Sequence, residues 1–145
     1  MNIQPTPGQR ILDDHDVRAI LARNSVGRLA FVRDDEIDIL PIQYVYKAGA
    51  IYGRTAPEGK LVEMDRTGTR VAFEVDEVRS TRNWVSVLTH GTFRVLDPGD
   101  EGTWQDALRI VRQLHHDAFS PDDPKSHQTE LFKIEVRKVT GRATA

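Results

Sequence analysis

Between residues 25 and 100 the chain alternates short apolar segments with tight, polar turn sequences. Arg33-Asp34-Asp35-Glu36, Lys47-Ala48-Gly49 and Asp97-Pro98-Gly99-Asp100 are the clearest of these turns. Segments this short, rich in β-branched residues and bounded by Asp, Gly and Pro, are strands joined by hairpins rather than units of a βαβ fold. The pattern predicts strands over 28–32, 37–46, 50–54, 70–76, 84–96 and 130–139. Pro41 inside the second marks it as an edge or bulged strand, because proline has no N–H for a ladder. Three helices interrupt the series. The first starts at Asp13, an N-cap with Asp16 three residues on, and its Val17, Ile20 and Leu21 share one face. A short one covers 59–66 and is broken by Thr67-Gly68. The third is capped by Thr103 and carries the stripe Trp104, Ala107, Leu108, Val111 and Leu114. Residues 77–82 read as a charged linker and 119–128, with Pro121 and Pro124, as a long loop. Six strands and three helices make a mainly β (α+β) chain, most simply a small antiparallel barrel with flanking helices.

Composition narrows the function. The 145 residues hold 20 Lys and Arg against 22 Asp and Glu, a formal charge of −2, whereas a dedicated nucleic-acid binder carries a basic excess. With no cysteine, disulfides, thiolate metal sites and cysteine nucleophiles are excluded. No apolar run approaches the ~20 residues of a membrane span, and the polar start has no signal core. The expectation is one cytoplasmic domain over 1–145, with 1–10 as an N-terminal arm and neither nucleic acid nor membrane as partner.

Three segments carry polar chemistry. In Tyr52-Gly53-Arg54-Thr55-Ala56-Pro57-Glu58-Gly59-Lys60 a strand ends in a cation and a hydroxyl, and a loop feeds a helix starting at Gly59 and Lys60. Unpaired N–H groups at a helix start attract anions, Arg54 offers a planar fork, Lys60 a point charge and Thr55 a hydroxyl. That is a phosphate cradle; the same segment is also an ordinary strand–loop–helix junction with surface cations. It is not a P-loop, because Leu61 follows the lysine. In the second segment, Pro41-Ile42-Gln43-Tyr44, a proline-interrupted strand leaves main-chain groups for a planar ligand. Gln43 can donate and accept, and Tyr44 has a ring face; a plain barrel strand is the alternative. The third, Asn83-Trp84-Val85-Ser86, has an indole to cover a ring and a hydroxyl to meet its edge, or a tryptophan that is simply core. His115 and His116 are adjacent on a helix and point about 100° apart. His15, His90 and His127 stand in other elements, so no metal site is expected. There is no Gly-x-Ser-x-Gly elbow, and Asp34-Asp35-Glu36 is a solvated turn, so no hydrolytic residues are named.

Taken in order, Val26-Gly27-Arg28-Leu29-Ala30-Phe31, Leu40-Pro41-Ile42-Gln43-Tyr44, Arg54 to Lys60, Val71-Ala72-Phe73-Glu74-Val75-Asp76, Trp84-Val85-Ser86-Val87 and the closing Thr140-Gly141-Arg142 resemble one family. It is that of the pyridoxamine 5′-phosphate oxidase-like FMN-binding split barrels, and most of all its nitroimidazole-reductase-like branch. The resemblance covers most of 16–96 and the tail. It implies a six-stranded antiparallel split β-barrel and a homodimer with FMN at the subunit interface. It places Thr55 and Lys60, with Arg54 and Gly59 beside them, at the cofactor phosphate. Pro41, Ile42, Gln43 and Tyr44 fall along the isoalloxazine, and Trp84 and Ser86 near the cofactor where the partner subunit contributes. Gly53-Arg54 stands where some members carry His-Gly, so the role of that histidine does not transfer. Glu58 adds negative charge beside the loop, and no cluster matches a pyridoxamine phosphate pocket. The reading is an FMN-binding protein acting as a flavin-dependent oxidoreductase with no catalytic side chain named. The alternatives are a deazaflavin-dependent reductase and a non-catalytic flavin or haem carrier or sensor.

Overall fold

The computed structural model describes residues 6–64 and 68–145. Hairpin geometry organises the first half. Helix α1 (Asp14–Arg23) is capped by the Asp13 carboxylate, which accepts from the Asp16 N–H at 2.8 Å. Strands β2 (Val26–Arg33) and β3 (Glu36–Gln43) are joined by Asp34 and Asp35, with φ of 52° and 62°. Two successive left-handed residues form the turn whose twist suits a two-residue hairpin, and aspartate tolerates that conformation. Ala48 and Gly49, at 49° and 79°, do the same between β4 (Val45–Lys47) and β5 (Ala50–Thr55). After the short helix α2 (Lys60–Met64) come the two long strands β6 (Thr69–Ser80) and β7 (Asn83–Val95). Helix α3 (Glu101–Val111) and β8 (Glu130–Thr144) complete the chain.

All pairings are antiparallel, in the order β3-β2-β6-β7-β8-β5-β4, and β1 (Gln9–Ile11) adds to β8. The two ends of this path, β3 and β4, are consecutive in the chain and separated by Tyr44 alone. A sheet whose edges are tethered by one residue has to curl, and the result is a split barrel. Tyr44 anchors the seam: its N–H donates to Ser25 O (2.9 Å), its hydroxyl donates to Leu21 O (2.8 Å), and its ring stands edge-on to Phe73. The barrel is filled by Leu29, Ile51, Phe73, Val75, Val87, Phe93, Phe132 and Ile134, and closed by Val17, Ile20 and Leu21 of α1. Full burial of each of those three helix side chains contributes roughly 1.5–3 kcal/mol. A second cluster, Leu96, Ala107, Leu108, Val111, Ala118 and Leu131, seats α3 against the sheet.

Among the described residues there are eight strands where the sequence suggests six. The arm forms β1, and the 37–46 segment divides at Tyr44 because its two halves pair with different strands. Pro41 sits on edge strand β3 opposite Arg28, as a residue without an N–H must. Residues 77–82 are no linker: β6 and β7 continue through them as a ribbon, with Glu77 opposite Val85 and Val78 opposite Trp84. Glu77 is fixed there by two bonds from Arg23 (2.8 and 2.6 Å) and one from Asn24 (2.7 Å). Thr103 is not a cap either. Helix α3 begins at Glu101 after Asp100, while the Asp97 carboxylate takes the Gly99 N–H at 2.8 Å. The expected end of the short helix at 65–67 lies outside the described residues, as does 1–5 of the arm. No helix among the described residues is long and apolar enough to cross a membrane.

Candidate functional site

The seam opens into a cavity of about 410 Å³, within the usual size of small-molecule sites. One wall is the free edge of β3, from Leu40 to Gln43. The floor is the end of β5 and the turn into α2, with Arg54, Thr55, Gly59, Lys60 and Leu61. The far wall comes from beyond α3: His115, Lys125 and Gln128. Among the described residues that line it there is no carboxylate.

Seven of the ten residues singled out in the sequence meet here: Pro41, Ile42, Gln43, Arg54, Thr55, Gly59 and Lys60. Their roles differ. The turn is tight, with Gly59 N–H donating to Ala56 O at 3.0 Å, and a β-carbon on Gly59 would lie 3.2 Å from Thr55 Oγ1. Glycine thus lets the backbone close on the threonine hydroxyl. Lys60 is half exposed, its ammonium 3.6 Å from Asp38 of β3. Gln43 accepts a hydrogen bond from the Lys125 ammonium. The Arg54 side chain is only 3% exposed, and its fork is not offered to the cavity. It donates to both oxygens of Asp123 (3.1 and 2.6 Å) and to the carbonyls of Lys125 (3.0 Å) and Gln128 (2.8 Å), with Phe119 stacked 5.0 Å away. Asp123 also accepts from the N–H groups of Phe119 and Lys125 (2.9 and 3.0 Å). The guanidinium first, then those N–H groups, hold its carboxyl well below the usual carboxylate range. Arg54 therefore ties the 119–128 loop to β5, setting the far wall.

The structure does not bring the other three to the cavity of the same chain. Tyr44 presents no ring face: it is 1% exposed and belongs to the core. Trp84 and Ser86 lie on the outer face of β7. There Ser86 donates to Glu74 at 3.1 Å, within a cluster where Arg28 stands 3.7 Å from Glu74 and 3.6 Å from Asp76. Burial and the neighbouring Asp76 push the Glu74 carboxyl upward. The same outer face carries Val32, Ile37 and Ile39, 59%, 80% and 63% exposed, and it reaches Pro41 and Gln43 at the cavity mouth.

Sequence reasoning missed Leu40, Leu61, His115, Lys125 and Gln128. His115 had a signal: four residues after Val111, it continues the stripe's spacing just past the end of α3, where its N–H donates to Val111 O at 2.9 Å. Its imidazole pKa is lowered by burial and then by the Lys125 and Arg54 cations, against an opposing pull from Asp123. Lys125 and Gln128 had none, because only the distant pairing of Arg54 with Asp123 brings their loop to β5.

A family model described as pyridoxamine 5′-phosphate oxidase matches residues 13–143. The crystal structure of a FAD-binding protein from Mesorhizobium loti is similar with a TM-score of 0.73, at 29% identity, over 94% of this chain and 99% of that one. A Corynebacterium diphtheriae protein gives a TM-score of 0.71 at 30% identity, over 95% and 99%. A protein of Rhizobium meliloti strain 1021 is 26% identical over 92% of this chain and 94% of its own length.

Proposed function

Because the chain belongs to the pyridoxamine 5′-phosphate oxidase family, we propose that it is a flavoprotein that binds FMN, or the FMN half of a larger flavin, in the seam and works as an oxidoreductase. The observation that carries this is the seam cavity itself: a glycine-tightened turn with Thr55 and Lys60, cations on the floor and the far wall and no lining carboxylate among the described residues. Thr55, the turn backbone and Lys60 would take the phosphate. The free edge of β3, with Gln43, would meet the polar edge of the ring, since a planar heterocycle can pair with backbone groups no strand uses. The flavin-binding relative from Mesorhizobium loti supports the cofactor class.

A bound flavin supplies the hydride and electron transfer, and the residues here bind, orient and exclude water. The outer sheet face supports a homodimer. Val32, Ile37 and Ile39 form an exposed apolar patch continuous with the cavity mouth, the kind of surface that a second copy covers. Trp84 and Ser86 share that face, so pairing two copies through it is how they would reach a cofactor. The test is Lys60→Glu. Losing one charge-assisted phosphate contact and adding repulsion should weaken FMN binding about 10- to 100-fold, read by flavin fluorescence, with riboflavin affinity unchanged. Unchanged FMN affinity refutes the cradle.

A further inference from the structure

The cations of the cavity are not equivalent. Arg54 is neutralised by Asp123, and Lys60 faces Asp38. Lys125 has no carboxylate in ion-pair contact among the described residues, and its ammonium rests on the neutral amide of Gln43. Its backbone, in contrast, is held at both ends: the N–H donates to Asp123 and the carbonyl accepts from Arg54. The loop thus presents a cation from a fixed backbone, which lowers the ordering left to do when a ligand arrives.

Its position along β3 matters most. Lys60 meets that strand at Asp38 and Lys125 meets it at Gln43, five residues further on, which is about 16 Å at the usual strand rise. That spacing is of the strand's Cα positions, and it holds the two ammonium groups at different points of the strand rather than side by side. If the phosphate lies at Thr55 and Lys60, Lys125 stands at the other end of the bound molecule.

Resting on the flavin reading above, we propose that Lys125 places its charge at the ring end of the cofactor and favours the reduced flavin over the oxidised one. When an external hydride donor of the reduced-nicotinamide class gives up two electrons and a proton, the donor leaves as its oxidised cation and the neutral ring becomes an anion. A fixed ammonium in a partly enclosed site stabilises that new charge far more than it stabilises the neutral ring. Gln43 holds the ammonium in place before the charge appears. The effect is on potential rather than on affinity for oxidised flavin.

The experiment measures the two-electron midpoint potential of protein loaded with FMN, by dye-equilibrated reductive titration, together with the affinities for oxidised FMN and riboflavin. Lys125→Gln should lower the reduced-to-oxidised binding ratio at least tenfold, about 30 mV for a two-electron couple. Lys125→Arg, which keeps the charge, should stay near wild type, and the same shift should appear with riboflavin. An unchanged potential in Lys125→Gln overturns the proposal. So does a loss of FMN affinity with riboflavin affinity intact, which would put Lys125 at the phosphate. Wild-type protein that takes up neither flavin overturns the cofactor reading, and this proposal with it, before any variant is compared.

Discussion

Replacing Tyr44 with phenylalanine deletes one oxygen atom from the point where the two edges of the sheet are tethered. The ring should stay, since it is 1% exposed and packs edge-on to Phe73 at 4.9 Å. What goes is the hydroxyl that donates to Leu21 O at 2.8 Å. Leu21 lies in the last turn of α1, where carbonyls have no intrahelical partner, and the neighbouring Ile20 O is satisfied by the Asn24 amide at 2.9 Å. Tyr44→Phe therefore strands a buried carbonyl, at a cost of about 1–3 kcal/mol. For 145 residues the unfolding entropy is roughly 0.3 kcal/mol/K, so Tm should fall by about 3–10 °C. Burial pushes the phenol well above its usual value, so the loss should be flat across the neutral pH range. The assay is urea unfolding with calorimetry, alongside flavin affinity by fluorescence. The expected result is a lower midpoint, an unchanged slope and unchanged affinity. Wild-type stability with weakened flavin binding would refute this reasoning and return Tyr44 to the cofactor.

Two further perturbations test other parts of the fold. Arg23 first, and then Asn24, hold the Glu77 carboxyl down to about 2 from 4.5. Its contribution is therefore complete above about pH 4.5 and lost as pH falls toward 2. With Arg23 56% exposed, solvent screening limits this to about 1 kcal/mol, so the stability gap between wild type and Glu77→Gln should close across that window in acid denaturation curves. Gly53→Ala sets a β-carbon against the Phe132 ring and 3.0 Å from Gln43 O, and should cost about 1–3 kcal/mol in urea unfolding while weakening flavin binding by shifting the β3 wall.

What could be read from the sequence follows the range of the forces involved. The α1 stripe, its aspartate cap and the Asp34–Asp35 and Ala48–Gly49 turns are local, and local chemistry dictates them. The break at Tyr44 is not local: the run from 37 to 46 has no turn residue at 44 and gives no sign that its halves pair with opposite ends of one sheet. Residues 77–82 look like a linker because the ribbon they form is solvated, and charge there reports exposure rather than the absence of a ladder. The site divides in the same way. The Arg54–Lys60 segment is contiguous, so its cations, hydroxyl and glycine could be picked out together from the sequence. The far wall depends on Arg54 finding Asp123, 69 residues away, and that same contact withdraws the arginine from the ligand role its sequence position suggests.

The central claim is a flavin held in the seam of a dimer. Its most direct test is the visible spectrum of protein incubated with FMN and passed through gel filtration. A flavin absorption band, one per chain, eluting at twice the chain mass is the expected result. A colourless protein at monomer mass would contradict it.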